Sequence, residues 1–235
     1  MFPLKDNVPT RHFPLVTVAL IVANVLAFVW QVSGTPFEED VIRYGYYPCE
    51  VQGPCVGVAG QNDTPFLASV FTSMFMHGDI IHLGGNMLFL WIFGNNVEDA
   101  LGRLRFLLWY LVAGIAATAA QTLVTLWFGD PQSASIPNIG ASGAIAGVLG
   151  AYLLLLPHAS VLTAIFLGFI FFLREIPAIL YLGIWFLFQL WQGGFSILEP
   201  QQGGGVAFFA HIGGFVFGLL TIHLVKARQP LRPHY

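Results

Sequence analysis

Residues 140–157 read Gly140-Ala141-Ser142-Gly143-Ala144-Ile145-Ala146-Gly147-Val148-Leu149-Gly150-Ala151-Tyr152-Leu153-Leu154-Leu155-Leu156-Pro157. No charge interrupts this run, and a proline closes it. The rest of the chain decides what kind of helix it is. Only 9 % of the 235 residues are charged and 56 % are hydrophobic, against roughly 25 % charged in an ordinary soluble domain. Mean hydropathy is +0.73. Too little charge is present to cover a soluble surface, and a net charge of −3 offers no basic field to phosphate. A soluble globular protein, a disordered chain and a nucleic-acid binder are excluded, which leaves a protein embedded in the lipid bilayer.

Within a bilayer the opening run is short. Ser142 to Leu156 is 15 residues, about 22 Å of helix, while the hydrocarbon core is about 30 Å thick. The helix reaches one surface only, so the segment Pro131–Ala141 must dip into the membrane to feed it. Irregular backbone at that depth is tolerated where it is buried in protein or lines a wet cavity. Ser142 is therefore expected at the floor of such a cavity.

Working outward, apolar runs occupy His12–Val32, Ile80–Val97, Arg105–Trp127, Ser142–Leu156, Ile176–Gln192 and Val206–Lys226. A further stretch, Val161–Leu173, lies too close to the fifth run to span and reads as an interfacial or re-entrant piece. The expected fold is all-α: a six-transmembrane-helix bundle with both termini cytoplasmic. With that count, eight of the nine Lys and Arg residues fall inside, and only Arg43 lies outside, as the positive-inside rule requires. Residues 1–11 form a cytoplasmic head, 12–226 the membrane domain and 227–235 a basic tail. The first run carries no cleavage pattern of a signal peptide. With no transit-like leader, a bacterial plasma membrane is the expected location.

The outer loop, residues 33–65, is long. Its aromatics, with Phe66 at its edge, are expected on or in the outer leaflet: Phe37, Tyr44, Tyr46 and Tyr47. It also holds the only cysteines, Cys49 and Cys55. They could pair as a disulfide on an oxidising face or stand as two free thiols, and the sequence leaves both open.

Polar residues inside a membrane are costly and call for an explanation. His82 and Asn86 share one face of the second span. Ser142 opens the fourth, and His211 lies in Phe209-Ala210-His211-Ile212-Gly213-Gly214 of the sixth. Spans two, four and six run in the same direction, so these groups meet at one depth near the outer ends. Ser142, Ala146 and Gly150 make a small-residue stripe, as do Ala210, Gly214 and Gly218. Such stripes let helix backbones approach closely, bringing Ser142 within reach of His211 as nucleophile and general base. Free N–H groups at the start of the fourth helix, with His82 and Asn86, would face a developing oxyanion. No acid stands near His211 in sequence, so the pair reads as a Ser–His dyad. Asn24, Gln121 and Gln189 read as packing hydrogen bonds.

The order His-x-x-x-Asn, Gly-Ala-Ser-Gly and Ala-His-x-x-Gly in successive even spans resembles the rhomboid family of intramembrane serine proteases, over about residues 66–225. The resemblance implies Ser142 as nucleophile, His211 as its base, and His82 and Asn86 as oxyanion partners. His77 falls where many members carry a histidine. It also implies that span five gates lateral substrate entry, with Phe186, Phe188 or Trp191 as candidates. Two positions depart from the family pattern. Ala68-Ser69 stands where many members have Trp-Arg, and Ala146 stands where many have an aromatic that stacks under the base.

The implied partners are protein substrates with a transmembrane segment and the lipid bilayer itself; oligomeric state is not encoded legibly. No cofactor is implied, because serine acyl transfer needs only water for its second step. No metal is implied either, since His77 and His82 are five apart rather than the helical i, i+4 pair. The competing readings are a catalytically inactive relative that binds transmembrane helices and a small-solute transporter. The transporter reading expects an internal repeat, which the sequence does not show.

Overall fold

The structure is a computed structural model that describes residues 1–34, 37–53, 55, 64–168, 170–198 and 206–228. Pro54, Gly57 and Asp63 of the outer loop, with Arg232 and His234 of the tail, lie outside the described residues. Helices dominate. Strand β1 (Phe2–Asp6) precedes α1 (Leu15–Ser33), α2 (Phe37–Tyr44) and a 3-10 turn, Pro48–Val51. Helix α3 (Phe66–Thr72) leads to α4 (Ile80–Phe89), which continues through a wide π turn at Leu90–Gly94 into α5 (Asn95–Leu101). Then come α6 (Arg103–Phe128), α7 (Pro131–Ala134), α8 (Ser142–Leu155), strands β2 (Ser160–Leu167) and β3 (Ile170–Pro177), α9 (Ala178–Leu198) and α10 (Phe208–Val225).

Among the described residues, four helices, α1, α6, α9 and α10, are long and apolar enough to cross a bilayer. The pair formed by Phe66–Phe75 and Ile80–Leu101, bent by 84°, is a fifth candidate. The outer faces of the long helices carry apolar side chains rather than charge: Leu26 is 62 % exposed, Leu187 64 % and Leu224 82 %. A soluble protein would not leave such a belt uncovered. The chain is an integral, multi-pass membrane protein.

Helix α8 is the axis of the bundle. Residues Gly143 to Tyr152 are buried on all sides, which its lack of charge permits and its small residues exploit. Its stripe meets α10 backbone to backbone: a Cβ on Gly214 would overlap the carbonyl oxygen of Gly143, and one on Gly218 that of Gly147. On the other side, a Cβ on Gly143 would lie 2.7 Å from that of Ala117, and one on Gly147 2.9 Å from that of Ala113, both on α6. Glycine at these positions is what brings α8 and α10 together.

The expectation of a purely helical fold is corrected in one place. Val161–Leu173, read as an interfacial or re-entrant piece, is not helical but most of a β-hairpin, antiparallel with Leu167 opposite Ile170. Gly168, at φ +61°, turns the chain, a backbone that glycine adopts at no steric cost. Runs of β-branched and aromatic residues suit a pleated surface, and a short apolar run cannot be assigned to helix or strand by periodicity. The head supplies the third strand, since β1 pairs antiparallel with β2. Asp6 at its end accepts from Tyr152 Oη at 2.6 Å and from Asn96 Nδ2 at 2.8 Å. Burial pushes its carboxyl up to about 6.

A second correction concerns the outer-loop tyrosines. Tyr46 and Tyr47 are buried in the protein rather than set in lipid. The hydroxyl of Tyr46 meets Thr122 Oγ1 at 2.9 Å, and that of Tyr47 donates to the carbonyl of Ile42 at 2.9 Å. Cys49 and Cys55 are joined as a disulfide.

Candidate active site

The chain enters α8 through a backbone clamp. Tyr46 and Asn138 exchange N–H to carbonyl bonds at 3.2 and 2.7 Å, and Gly140 N–H donates to Ser73 O at 2.8 Å. Gly140 has φ +111°, and a Cβ there would sit 2.9 Å from His82 Nε2. Both facts require glycine. The clamp leaves Ser142 at the first turn of α8, where backbone N–H groups lack helical partners.

His211 reaches the same point from the first turn of α10. That turn has no cap of its own; Gln121 on α6 supplies one, its Oε1 accepting from the N–H of Phe209 at 3.0 Å and of Ala210 at 3.1 Å. With α8 and α10 in backbone contact, His211 Nε2 lies 2.8 Å from Ser142 Oγ. On the other side of the ring, Nδ1 lies 2.8 Å from Gln189 Oε1. No local pattern singles out Gln189, because 22 residues separate it from His211.

Helix α4 supplies the opposite wall. Asp79 caps it, its Oδ1 accepting from the N–H of Ile81 and of His82 at 2.7 Å each. Gly78 N–H donates to His82 Nδ1 at 3.3 Å. Because Nδ1 accepts, the neutral ring carries its proton on Nε2, on the side lying against Gly140. Behind it, His77 is fully buried and meets His82 edge-on, with ring centroids 5.1 Å apart. Gln31 of α1 accepts from His77 N–H at 3.1 Å, tying α1 to the entry of α4. Among the described residues, Asn86 Nδ2 is buried without a hydrogen-bond partner. A buried donor is costly to leave unmade, and this one belongs to a residue that lines the same cavity as Ser142.

These groups line one cavity of about 600 Å³ that includes Ser142, His211, His82 and Asn86, with Trp185 of α9 on its side. Trp185 packs its ring on His211 at 6.0 Å between centroids. The space left by Ala146 on α8 is thus complemented by an aromatic from α9. Of the three α9 aromatics that the resemblance offers as gate candidates, one packs against α10 and two face outward. Phe186 stacks on Phe215 at 4.4 Å, and Phe188 and Trp191 lie half-exposed on the outer face, 5.8 Å apart. None of the three lines the cavity; the α9 aromatic that does is Trp185. Within an apolar helix the sequence does not distinguish an inward Trp from an outward one.

A family model of the Rhomboid domain matches residues 66–228, and the chain belongs to the rhomboid family. It is 34 % identical over 157 residues to "Rhomboid protein 1, mitochondrial" of Saccharomyces cerevisiae, covering 65 % of this chain and 40 % of that one. It is 29 % identical over 224 residues to "Presenilin-associated rhomboid-like protein, mitochondrial" of Bos taurus, covering 90 % and 50 %. Over 84 residues it is 42 % identical to "Rhomboid protease GluP" of Bacillus subtilis, covering 36 % and 15 %. The chain spans about half the length, or less, of these relatives. Two of them are named as mitochondrial, so the expected bacterial plasma membrane gives way to the coarser statement of an integral, multi-pass membrane protein.

Proposed function

We propose that this protein is an intramembrane serine endopeptidase that hydrolyses peptide bonds in or near transmembrane segments of other membrane proteins. The observation that carries the reading is the 2.8 Å contact between Ser142 Oγ and His211 Nε2, made in a cavity that also holds Asn86 Nδ2 without a partner.

Ser142 Oγ attacks the scissile carbonyl carbon as His211 Nε2 takes its proton. The carbonyl oxygen becomes an oxyanion, met by backbone N–H groups at the start of α8, by Asn86 Nδ2–H and by His82 Nε2–H. The imidazolium of His211 gives its proton to the leaving amine, and the acyl-enzyme forms. Water then enters the cavity, His211 takes one of its protons, and hydrolysis releases the acid and restores Ser142. No cofactor enters these steps.

The chain crosses the membrane six times, α8 being the short span, with both termini on the cytoplasmic side and the cavity opening to the other. Eight of nine basic residues on one side favour this arrangement. Substrate reaches the cavity laterally past α9. A transmembrane helix must unwind to present its carbonyl, so cleavage favours sequences with small or helix-destabilising residues at the scissile bond.

The test is cleavage of a single-span substrate by the detergent-purified protein beside its Ser142→Ala variant. The proposal expects cleavage by the parent alone. Equal cleavage by both would remove Ser142 from the chemistry. Binding of the substrate without cleavage, and without reaction of the parent with a fluorophosphonate, would favour the inactive helix-binding relative.

A further inference from the structure

Helix α9 presents two side chains to the base. Trp185 and Gln189 are four apart and share one face. Gln189 is only 6 % exposed, whereas its neighbours Leu187, Phe188, Leu190 and Trp191 all face outward. A lone carboxamide buried on the inward face of an apolar helix needs a partner, and this one has His211 Nδ1 at 2.8 Å. The carboxamide oxygen has lone pairs and no hydrogen, so the shared proton belongs to Nδ1. That assigns the tautomer of the ring. Nδ1–H donates to Gln189, and Nε2 is left with the lone pair that receives the Ser142 proton. In the other tautomer Nε2 would carry a hydrogen toward Ser142 and could not act as a base.

We infer that Gln189 is the positioning residue of the site: it holds His211 in the one tautomer and orientation that can deprotonate Ser142, an inference that rests on the serine-protease reading above. Among the described residues, the ring nitrogens of His211 bond to Ser142 and Gln189 and to no carboxylate. The choice of an amide has a physical reason. A carboxylate at this position would have to be buried in a bundle surrounded by lipid, where desolvating a charge is expensive. A neutral acceptor fixes the ring without that cost. Trp185 adds the second restraint by packing on the ring, where Ala146 of α8 has no side chain long enough to do so. Both restraints come from α9, so the competence of the base depends on how that helix is seated against α10.

The experiment uses the full chain, purified in detergent, as parent and as Gln189→Leu, Gln189→Glu and Ser142→Ala variants. Acylation of Ser142 by a fluorophosphonate reads the nucleophile without any transmembrane substrate. Gln189→Leu is expected to slow acylation and lower kcat by about 10–10²-fold, the size typical of orienting partners, with KM little changed. Gln189→Glu, whose buried carboxyl stays protonated and still offers its carbonyl oxygen as an acceptor, is expected to recover most of the rate. Nitrogen NMR of histidine-labelled protein should show His211 protonated on Nδ1 in the parent and lose that signature in Gln189→Leu. Acylation of Gln189→Leu at the parent rate would overturn the inference. So would equal losses in Leu and Glu variants accompanied by a matching fall in melting temperature, which would mean packing alone. A parent that takes no label would instead sink the protease reading, while the nitrogen spectrum would still decide whether Gln189 sets the tautomer.

Discussion

The two ends of α8 carry polar groups of opposite kinds. At its far end, Tyr152 donates to Asp6, which Asn96 also engages. Nearby, Glu98 accepts from the N–H of Val16 and Thr17 and from the Thr17 hydroxyl, at 2.7–3.1 Å, and so caps the start of α1. Those carboxylates are committed to protein partners and act as joints between elements. At the serine end, Asn86 Nδ2 has no partner among the described residues, and Ser142 and His211 face a cavity of about 600 Å³. The carboxylates of Asp6 and Glu98 tie elements of the bundle together, whereas Ser142, His211 and Asn86 line a cavity. The same short helix serves both purposes because its middle is small enough for α6 and α10 to close on it.

Breaking the serine end should leave the far end intact. The largest effect expected is from His211→Ala: proteolysis of a single-span substrate should fall about 10⁴-fold, to background, while the melting temperature stays near that of the parent. Full activity in that variant would remove the base from the account. Asn86→Ala comes next, with turnover lower by about 10–10³-fold and substrate binding retained; an unchanged turnover would mean that Asn86 meets no oxyanion.

The middle of α8 sharpens the comparison from the other side. Gly218→Leu puts a side chain onto the carbonyl of Gly147, and overpacking of this kind costs typically about 1–3 kcal/mol. The variant should melt several degrees lower and lose activity together with stability. If it folded normally, the close approach of α8 and α10 would not be what positions the dyad.

The smallest effect belongs to the far end. The Asp6 carboxyl, pushed up to about 6 by burial, binds a proton more tightly folded than unfolded. Its contribution to stability is therefore fully present below about pH 4 and is lost as pH rises through about 6. Asp6→Asn should flatten that part of the melting profile without changing the chemistry at Ser142. A profile with the same slope in both proteins would place the titration elsewhere.

Much of this was readable in the chain. Hydropathy located every long helix, and the expense of polar groups in lipid singled out Ser142, His211, His82 and Asn86 before any geometry. Helix length pointed to irregular backbone leading into Ser142, and the segment clamped at Asn138 and Gly140 is irregular backbone of that kind. What escaped had no local signature. The hairpin at Val161–Leu173 is an apolar run whose strand pairing is supplied by the head, far away in sequence. Tyr46 and Tyr47 carry the composition of a lipid-facing loop, yet their hydroxyls find Thr122 and Ile42 inside the protein. Gln189 looked like any polar residue in a span; only the folding of α9 against α10 shows that it faces the base. Trp185 and the outward Phe188 and Trp191 differ by helical phase, which an apolar helix does not reveal.

The central claim is that Ser142 is a nucleophile activated by His211. The most direct measurement is to treat the purified protein and its His211→Ala variant with a fluorophosphonate and locate the adduct by peptide mass spectrometry. The account predicts one adduct, on Ser142 in the parent, and none in the variant. An adduct on another residue, or equal labelling of Ser142 without His211, would contradict it.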